Sequence, residues 1–149
     1  MSGLYTATCW LPVRIDAVLH AHPPFVTALA CLGRGIPAFH YMVAIVGGRD
    51  IRFASYATFG SQELLRAALE ALEGRIACLL ANYGMVAVGR SLKAVLMLAL
   101  EVETLTQQYL CALQAGKPNL IEDAETDVVL EKFKTYKSAI GNRDGRQLT

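Results

Sequence analysis

Three histidines are present in the 149-residue chain, and two of them stand as His20-Ala21-His22. In an extended strand, residues i and i+2 project from one face, with Cα atoms ~7 Å apart at a rise of ~3.3 Å per residue. Two imidazoles so placed can converge on one divalent cation. The pair follows the apolar run Ile15 to Leu19 and precedes Pro23-Pro24, so it stands where a strand gives way to a loop. That is where α/β sheets place their ligands. The same spacing also suits two surface histidines that hydrogen-bond to backbone, and spacing alone leaves both readings open. Two ligands do not complete a site either, since catalytic zinc takes three protein ligands and a water.

The elements that must hold the pair can be read along the chain. Ile15 to His20 reads as a short, largely buried strand closed by the two prolines. Proline is tolerated in a first helical turn, so Phe25 to Leu32 is expected to be a helix, stopped by Gly33. Ile36 to Val46 is apolar around Pro37 and ends at Gly47-Gly48, and Ile51 to Ala54 alternates like a strand. Ser61 caps an amphipathic helix carrying Leu64, Leu65, Ala68, Leu69 and Leu72 on one face, with Gly74 at its end. Ile76 to Ala81 is a continuous apolar run, typical of a central strand covered on both faces. Asn82-Tyr83-Gly84 is a turn, and Met85 to Val88 begins another strand. Ser91 to about Ala115 reads as a long helix, and a last helix runs from about Glu122 to Tyr136. Strands and helices alternate, so the class is α/β, with helices on both sides of a central β-sheet. Residues 1–14 are expected to be irregular, 15–140 to form the domain, and 141–149 to be a flexible tail.

Composition narrows the function classes. Hydrophobic residues make up 54% of the chain and charged residues 18%, against ~25% charged in a typical soluble domain. That excludes intrinsic disorder and points to apolar surface covered by a partner or by further copies of the chain. The net charge is +1, with no basic stripe, so no nucleic-acid partner is expected. The longest apolar candidate, Ala94 to Leu100, is bracketed by Lys93 and Glu101. It falls far short of the ~20 residues that a membrane span needs. No membrane partner and no secretory leader are expected, which together suggest a cytoplasmic protein. Cys9, Cys31, Cys78 and Cys111 are widely spread, with Cys31, Cys78 and Cys111 inside apolar stretches, and are expected to be buried reduced thiols.

Several segments together resemble one family. They are His20-Ala21-His22-Pro23, Ile36-Pro37-Ala38-Phe39-His40-Tyr41-Met42 and Tyr56-Ala57-Thr58-Phe59-Gly60. Leu79-Leu80-Ala81-Asn82-Tyr83-Gly84, Glu101-Val102-Glu103 and Glu131-Lys132-Phe133-Lys134-Thr135-Tyr136 follow in the same order. From about Ile15 to Ile140 the chain resembles the class II aldolase/adducin family, and the resemblance implies that family's sheet, here without its N-terminal strands. It further implies a divalent metal, usually Zn²⁺, held by histidines, with His20 and His22 matching the paired ligands. The metal binds oxygens of a ketose phosphate and stabilises the enediolate left when a carbon–carbon bond breaks. Tyr41 matches a tyrosine near the active site, and Tyr136 matches another contributed across a subunit boundary. A phenol there can protonate a nascent alkoxide.

The chain also departs from the family pattern. Members carry a third histidine immediately before a glycine, where this sequence has Tyr83 before Gly84. A phenol with an ordinary pKa of ~10 makes a costly ligand at neutral pH, so Tyr83 is expected either to fill volume or to hydrogen-bond to a water that replaces the imidazole. Members also have a preceding part with Gly-Asn and Ser-Gly turns that grip the phosphate, and with an acidic general base; that acidic position aligns at about Met1. Gly47-Gly48 and Asp16 are poor replacements.

The resulting expectation is a zinc-dependent, aldolase-like lyase that cleaves a sugar phosphate of the L-fuculose 1-phosphate type. Its products are dihydroxyacetone phosphate and an aldehyde, its activity is impaired, and it assembles as a homo-oligomer, a tetramer by resemblance. The alternative is a catalytically degenerate member that acts, like adducin, as an interaction or oligomerisation module.

Overall fold

The structure is a computed structural model that describes residues 14–141, with side chains described as far as Thr135. The expectations for the first 13 residues, for Cys9, for the tail from residue 142 and for the Tyr136 side chain lie outside the described residues. Four strands form one sheet in the order β1-β4-β3-β2. They are β1 (Ala17–Ala21), β2 (Phe53–Ala54), β3 (Ala77–Leu80) and β4 (Gly84–Gly89). β4 pairs antiparallel with both β1 and β3, while β2 runs parallel to β3. The helices are α1 (Pro24–Cys31), α2 (Gln62–Ala71), α3 (Leu92–Ala115) and α4 (Asp123–Gly141).

Strand alternation sorts the core into two layers. Ala17, Leu19, Ala77, Leu79, Met85 and Ala87 face α1 and α3, packing on Val26, Leu29, Val95, Val102 and Leu105. Val18, Cys78, Leu80, Val86 and Val88 face the other way, against Ala68, Ala71 and Leu72 of α2. Helices therefore cover both sides, as expected. All four β3 residues are buried, as a central strand requires. Ser61 and Ser91 each accept the backbone N–H three residues on, at 3.2 Å and 3.1 Å, and so start α2 and α3 where the sequence places them.

The segment from Ile36 to Val46, to which the sequence assigns no element, holds a bridge between Ile36 and Ile51 and then a 3-10 helix over Tyr41–Val46. Gly47, at φ 98°, ends that helix in the left-handed region. Gly48 is needed because a Cβ there would meet the Arg75 guanidinium, whose Nε–H donates to the Asp50 carbonyl at 2.9 Å. The glycine pair thus seats a buried arginine. One reading needs correction, that of the thiols: Cys78 is buried, and burial pushes its pKa up to about 12, but Cys31 and Cys111 are exposed. Both lie in apolar runs that wrap around a helix, and the residues facing away from the sheet are left outside. On α3, Leu92, Leu96, Met97 and Leu100 are exposed for the same reason.

Candidate metal and active site

The His20-Ala21-His22 run ends β1. His20 lies opposite Val86 in the β1–β4 ladder, and the last ladder pair is Ala21 with Met85. By strand parity His20 projects with Val18 toward the side covered by α2, and both histidines are exposed. The imidazole centroids lie 4.6 Å apart in an edge-to-face arrangement, so the two rings share one side of the backbone. Two imidazoles on a tetrahedral zinc, with bonds of ~2.0–2.1 Å, put their centroids ~5 Å apart. The separation fits a shared ion.

Hydrogen bonds settle which nitrogen is available. Nδ1 of His20 is 2.8 Å from the Met85 carbonyl, and Nδ1 of His22 is 2.5 Å from the Tyr83 carbonyl. A carbonyl only accepts, so both Nδ1 atoms carry a proton, and in the neutral imidazoles that form leaves the lone pairs on both Nε2 atoms. Backbone carbonyls that fix the tautomer are the usual outer support of metal-ligating histidines. The pair meets the requirements of two ligands. Among the described residues, however, no group of three or more His, Cys, Asp and Glu side chains is placed to hold an ion.

Tyr83 does not complete the set. Its hydroxyl donates to the Ala57 carbonyl at 2.8 Å, and its ring stacks on Tyr56 at 5.6 Å and 7°. Partial burial raises the phenol above its ordinary pKa, and the Tyr56 hydroxyl raises it further, so it is a neutral donor at pH 7. This is the volume-filling part expected of it. His40, the remaining histidine, is also committed elsewhere: its Nδ1 accepts the Met42 N–H at 3.2 Å and caps the 3-10 helix. Gly84 has a different task. A Cβ there would run into the Ala21 carbonyl oxygen and lie 3.1 Å from the His22 Cα. Glycine at this position, with φ 155°, is what lets β4 approach the histidine corner.

The two tyrosines matched by resemblance are placed apart from the pair. Tyr41 is 54% exposed at the start of the 3-10 helix. Its ring lies 5.0 Å from His40 and stacks on Phe133 of α4 at 6.3 Å. Among the described residues no hydrogen bond or ring contact joins it to His20 or His22. Tyr136 falls on α4, whose first turns are tied down by Arg49: Nε and Nη2 donate to Asp127 at 2.8 Å and 2.6 Å, and Nη1 to Asp123 at 2.9 Å. Asp16 pairs with Arg14 at 3.0 Å.

Sequence reasoning assigned no role to Glu103. Its carboxylate accepts the N–H groups of Phe25 and Val26 at 3.0 Å and 2.9 Å, across 78 and 77 residues. The missing cap on α1 was the available signal, because prolines stand where Ser, Thr, Asp or Asn would cap a helix.

The chain is similar to known proteins. The sequence pattern of the Class II Aldolase and Adducin N-terminal domain matches residues 12–110. The 5-methylthioribulose-1-phosphate/5-deoxyribulose-1-phosphate aldolase of Rhodospirillum rubrum is 61% identical over 122 residues, which cover 82% of this chain and 55% of that relative. The L-fuculose phosphate aldolase of Escherichia coli K12 is 48% identical over 122 residues, covering 81% of this chain and 57% of the relative. A solved L-fuculose 1-phosphate aldolase structure matches with a TM-score of 0.76 at 45% identity, over 80% of this chain and 56% of that one. The chain therefore spans little more than half the length of these relatives. Since the matched pattern runs from before β1 through all four strands and most of α3, the chain belongs to the class II aldolase and adducin family.

Proposed function

We propose that this chain carries the metal-binding half of a ketose 1-phosphate aldolase, which breaks a carbon–carbon bond to give dihydroxyacetone phosphate and an aldehyde. The observation that carries the reading is the pair of imidazoles with both Nδ1 atoms held by carbonyls and both Nε2 atoms free. His20 and His22 would hold a divalent cation, Zn²⁺ by the nitrogen character of the donors. When bound, such a cation supplies Lewis-acid stabilisation of the negative charge that develops on a sugar phosphate's oxygens. The chain's own residues orient that centre: the Met85 and Tyr83 carbonyls lock the two rings, and Gly84 admits the β4 backbone beside them. Tyr41 is exposed and contacts neither histidine, so its phenol would donate a proton at the pair of a second copy. Tyr136, on the clamped α4, is proposed for the same duty. Both roles require a homo-oligomer.

The relatives named above act on L-fuculose phosphate and on 5-methylthio- or 5-deoxyribulose 1-phosphate, and the higher identity of the second favours a 5-substituted pentulose 1-phosphate here. Tyr83 favours a second reading, a degenerate member that acts by association, because its hydroxyl is bound to Ala57 and supplies no ligand. On either reading, turnover below that of a three-histidine member is expected. The test is release of dihydroxyacetone phosphate from each ketose 1-phosphate by Zn²⁺-loaded protein, alongside metal content. Loss of both metal and product by His20→Ala and by His22→Ala is the expected result. Protein that holds no metal, releases no product and is unchanged by either substitution is the association module.

A further inference from the structure

We infer that Glu103 is the positioning residue for the histidine corner, and that it acts on His22 through the start of α1. Helix α1 opens with Pro23 as its cap residue and Pro24 as its first member. Pro23 offers no side-chain cap and Pro24 no N–H. The N–H groups left without helical partners in that first turn are those of Phe25 and Val26. Thr27 is already served, since its N–H donates to the Pro23 carbonyl at 2.9 Å. The two oxygens of Glu103 take one orphan each, at 3.0 Å and 2.9 Å. A carboxylate at a helix N-terminus also meets the positive end of the helix dipole. The cap that the local sequence lacks is thus supplied from the middle of α3.

The location gives this cap its consequence. His20 lies inside the β1–β4 ladder, with pairs on both sides of it. His22 lies one residue past the last pair, so the ladder does not hold its backbone. What fixes His22 is its own Nδ1–H to the Tyr83 carbonyl and, three residues on, the grip of Glu103 on Phe25 and Val26. Removing the carboxylate frees the Pro23-Pro24 corner from α3 and lets the His22 ring leave its carbonyl, while His20 stays in register. A residue that served only overall stability would not discriminate between two histidines two positions apart.

The inference rests on the metal-site reading for its consequence but is tested without metal. Imidazole nitrogen NMR on the full-length, metal-free, ¹⁵N-labelled protein at alkaline pH reports which ring nitrogen carries the proton. The wild type is expected to show the Nδ1–H form for His20 and His22. In Glu103→Ala the His22 signal is expected to shift to the averaged pattern of a free imidazole while His20 keeps its own. Zn²⁺ alone, titrated by competition with a chromophoric chelator, is expected to bind Glu103→Ala ~10- to 100-fold more weakly, the usual loss when outer support of a ligand is removed. Ser61→Ala, which uncaps α2 instead, is the control expected to leave both readouts unchanged. An unaltered His22 signal in folded Glu103→Ala overturns the inference. If that variant fails to fold, Glu103→Gln turns one of the two acceptors into an amide donor facing a backbone N–H and so breaks the paired grip, and an unaltered His22 signal there overturns the inference equally. Wild type that binds no Zn²⁺, together with the His22-selective shift in Glu103→Ala, defeats the metal reading and leaves Glu103's role standing.

Discussion

The two faces of the sheet use the same strands for different ends. Toward α1 and α3 the alternation delivers Leu19, Leu79, Met85 and Ala87 into a layer closed by two helices, where Leu29, Leu79, Met85 and Leu105 have no exposed surface. Toward α2 it delivers Val18, Val86 and Val88 near a single helix, and the last projections of β1 on that side are His20 and, past the ladder, His22. A doubly covered face needs apolar volume, whereas a face covered by one helix leaves its far end open to solvent. One strand thereby anchors the domain with its odd residues and carries the proposed cation ligands on its even ones. Stability and chemistry are separable by parity.

Three changes test that separation. Leu79→Ala, on the closed face, should cost about 2–5 kcal/mol of unfolding free energy through lost burial and a cavity. Urea titration measures it, and a cost under about 1 kcal/mol would show that the closed layer is not the anchor. Tyr83→Phe, on the open face, removes only the hydroxyl bond to Ala57 and should cost about 1 kcal/mol. It should leave Zn²⁺ affinity as it was; a clear drop would make the phenol a ligand after all. The smallest effect belongs to the clamp on α4, away from both faces. Arg49 holds the Asp127 carboxyl below its usual range, first through their hydrogen bond. A carboxylate with a lowered folded-state pKa adds stability that is present above the unfolded value of ~3.9 and fades as pH falls through the folded one. The melting temperature of Asp127→Asn should therefore lie slightly below wild type at pH 7 and converge with it in acid, and added salt should shrink the gap. A gap that persists at low pH would mean the pair does not act through charge.

The same contrast explains how much was legible beforehand. Periodicity located the four strands and four helices to within a few residues, because 2.0 and 3.6 repeats and serine caps are local signals. It assigned no element at Ile36 to Val46, where a 3-10 helix follows a long-range bridge to Ile51. It also misplaced Cys31 and Cys111, since an apolar run does not say which of its side chains faces the sheet. In the site, the i, i+2 spacing of His20 and His22 was enough to put both rings on one side. The departure at Tyr83 was visible too, but not that its hydroxyl would go to Ala57.

What the sequence determined by itself is therefore the family, the alternation of elements and the direction in which two imidazoles leave one strand, all matters of residue type and near spacing. Tertiary structure alone decided the state of those imidazoles. Carbonyls of Tyr83 and Met85, more than sixty residues away, choose the protonated nitrogen, and Glu103, nearly eighty residues away, caps the helix that follows. Backbone carbonyls have no signature in the sequence, and a side chain acting across such a distance gains its meaning only once the sheet has brought β4 beside β1 and α3 beneath α1.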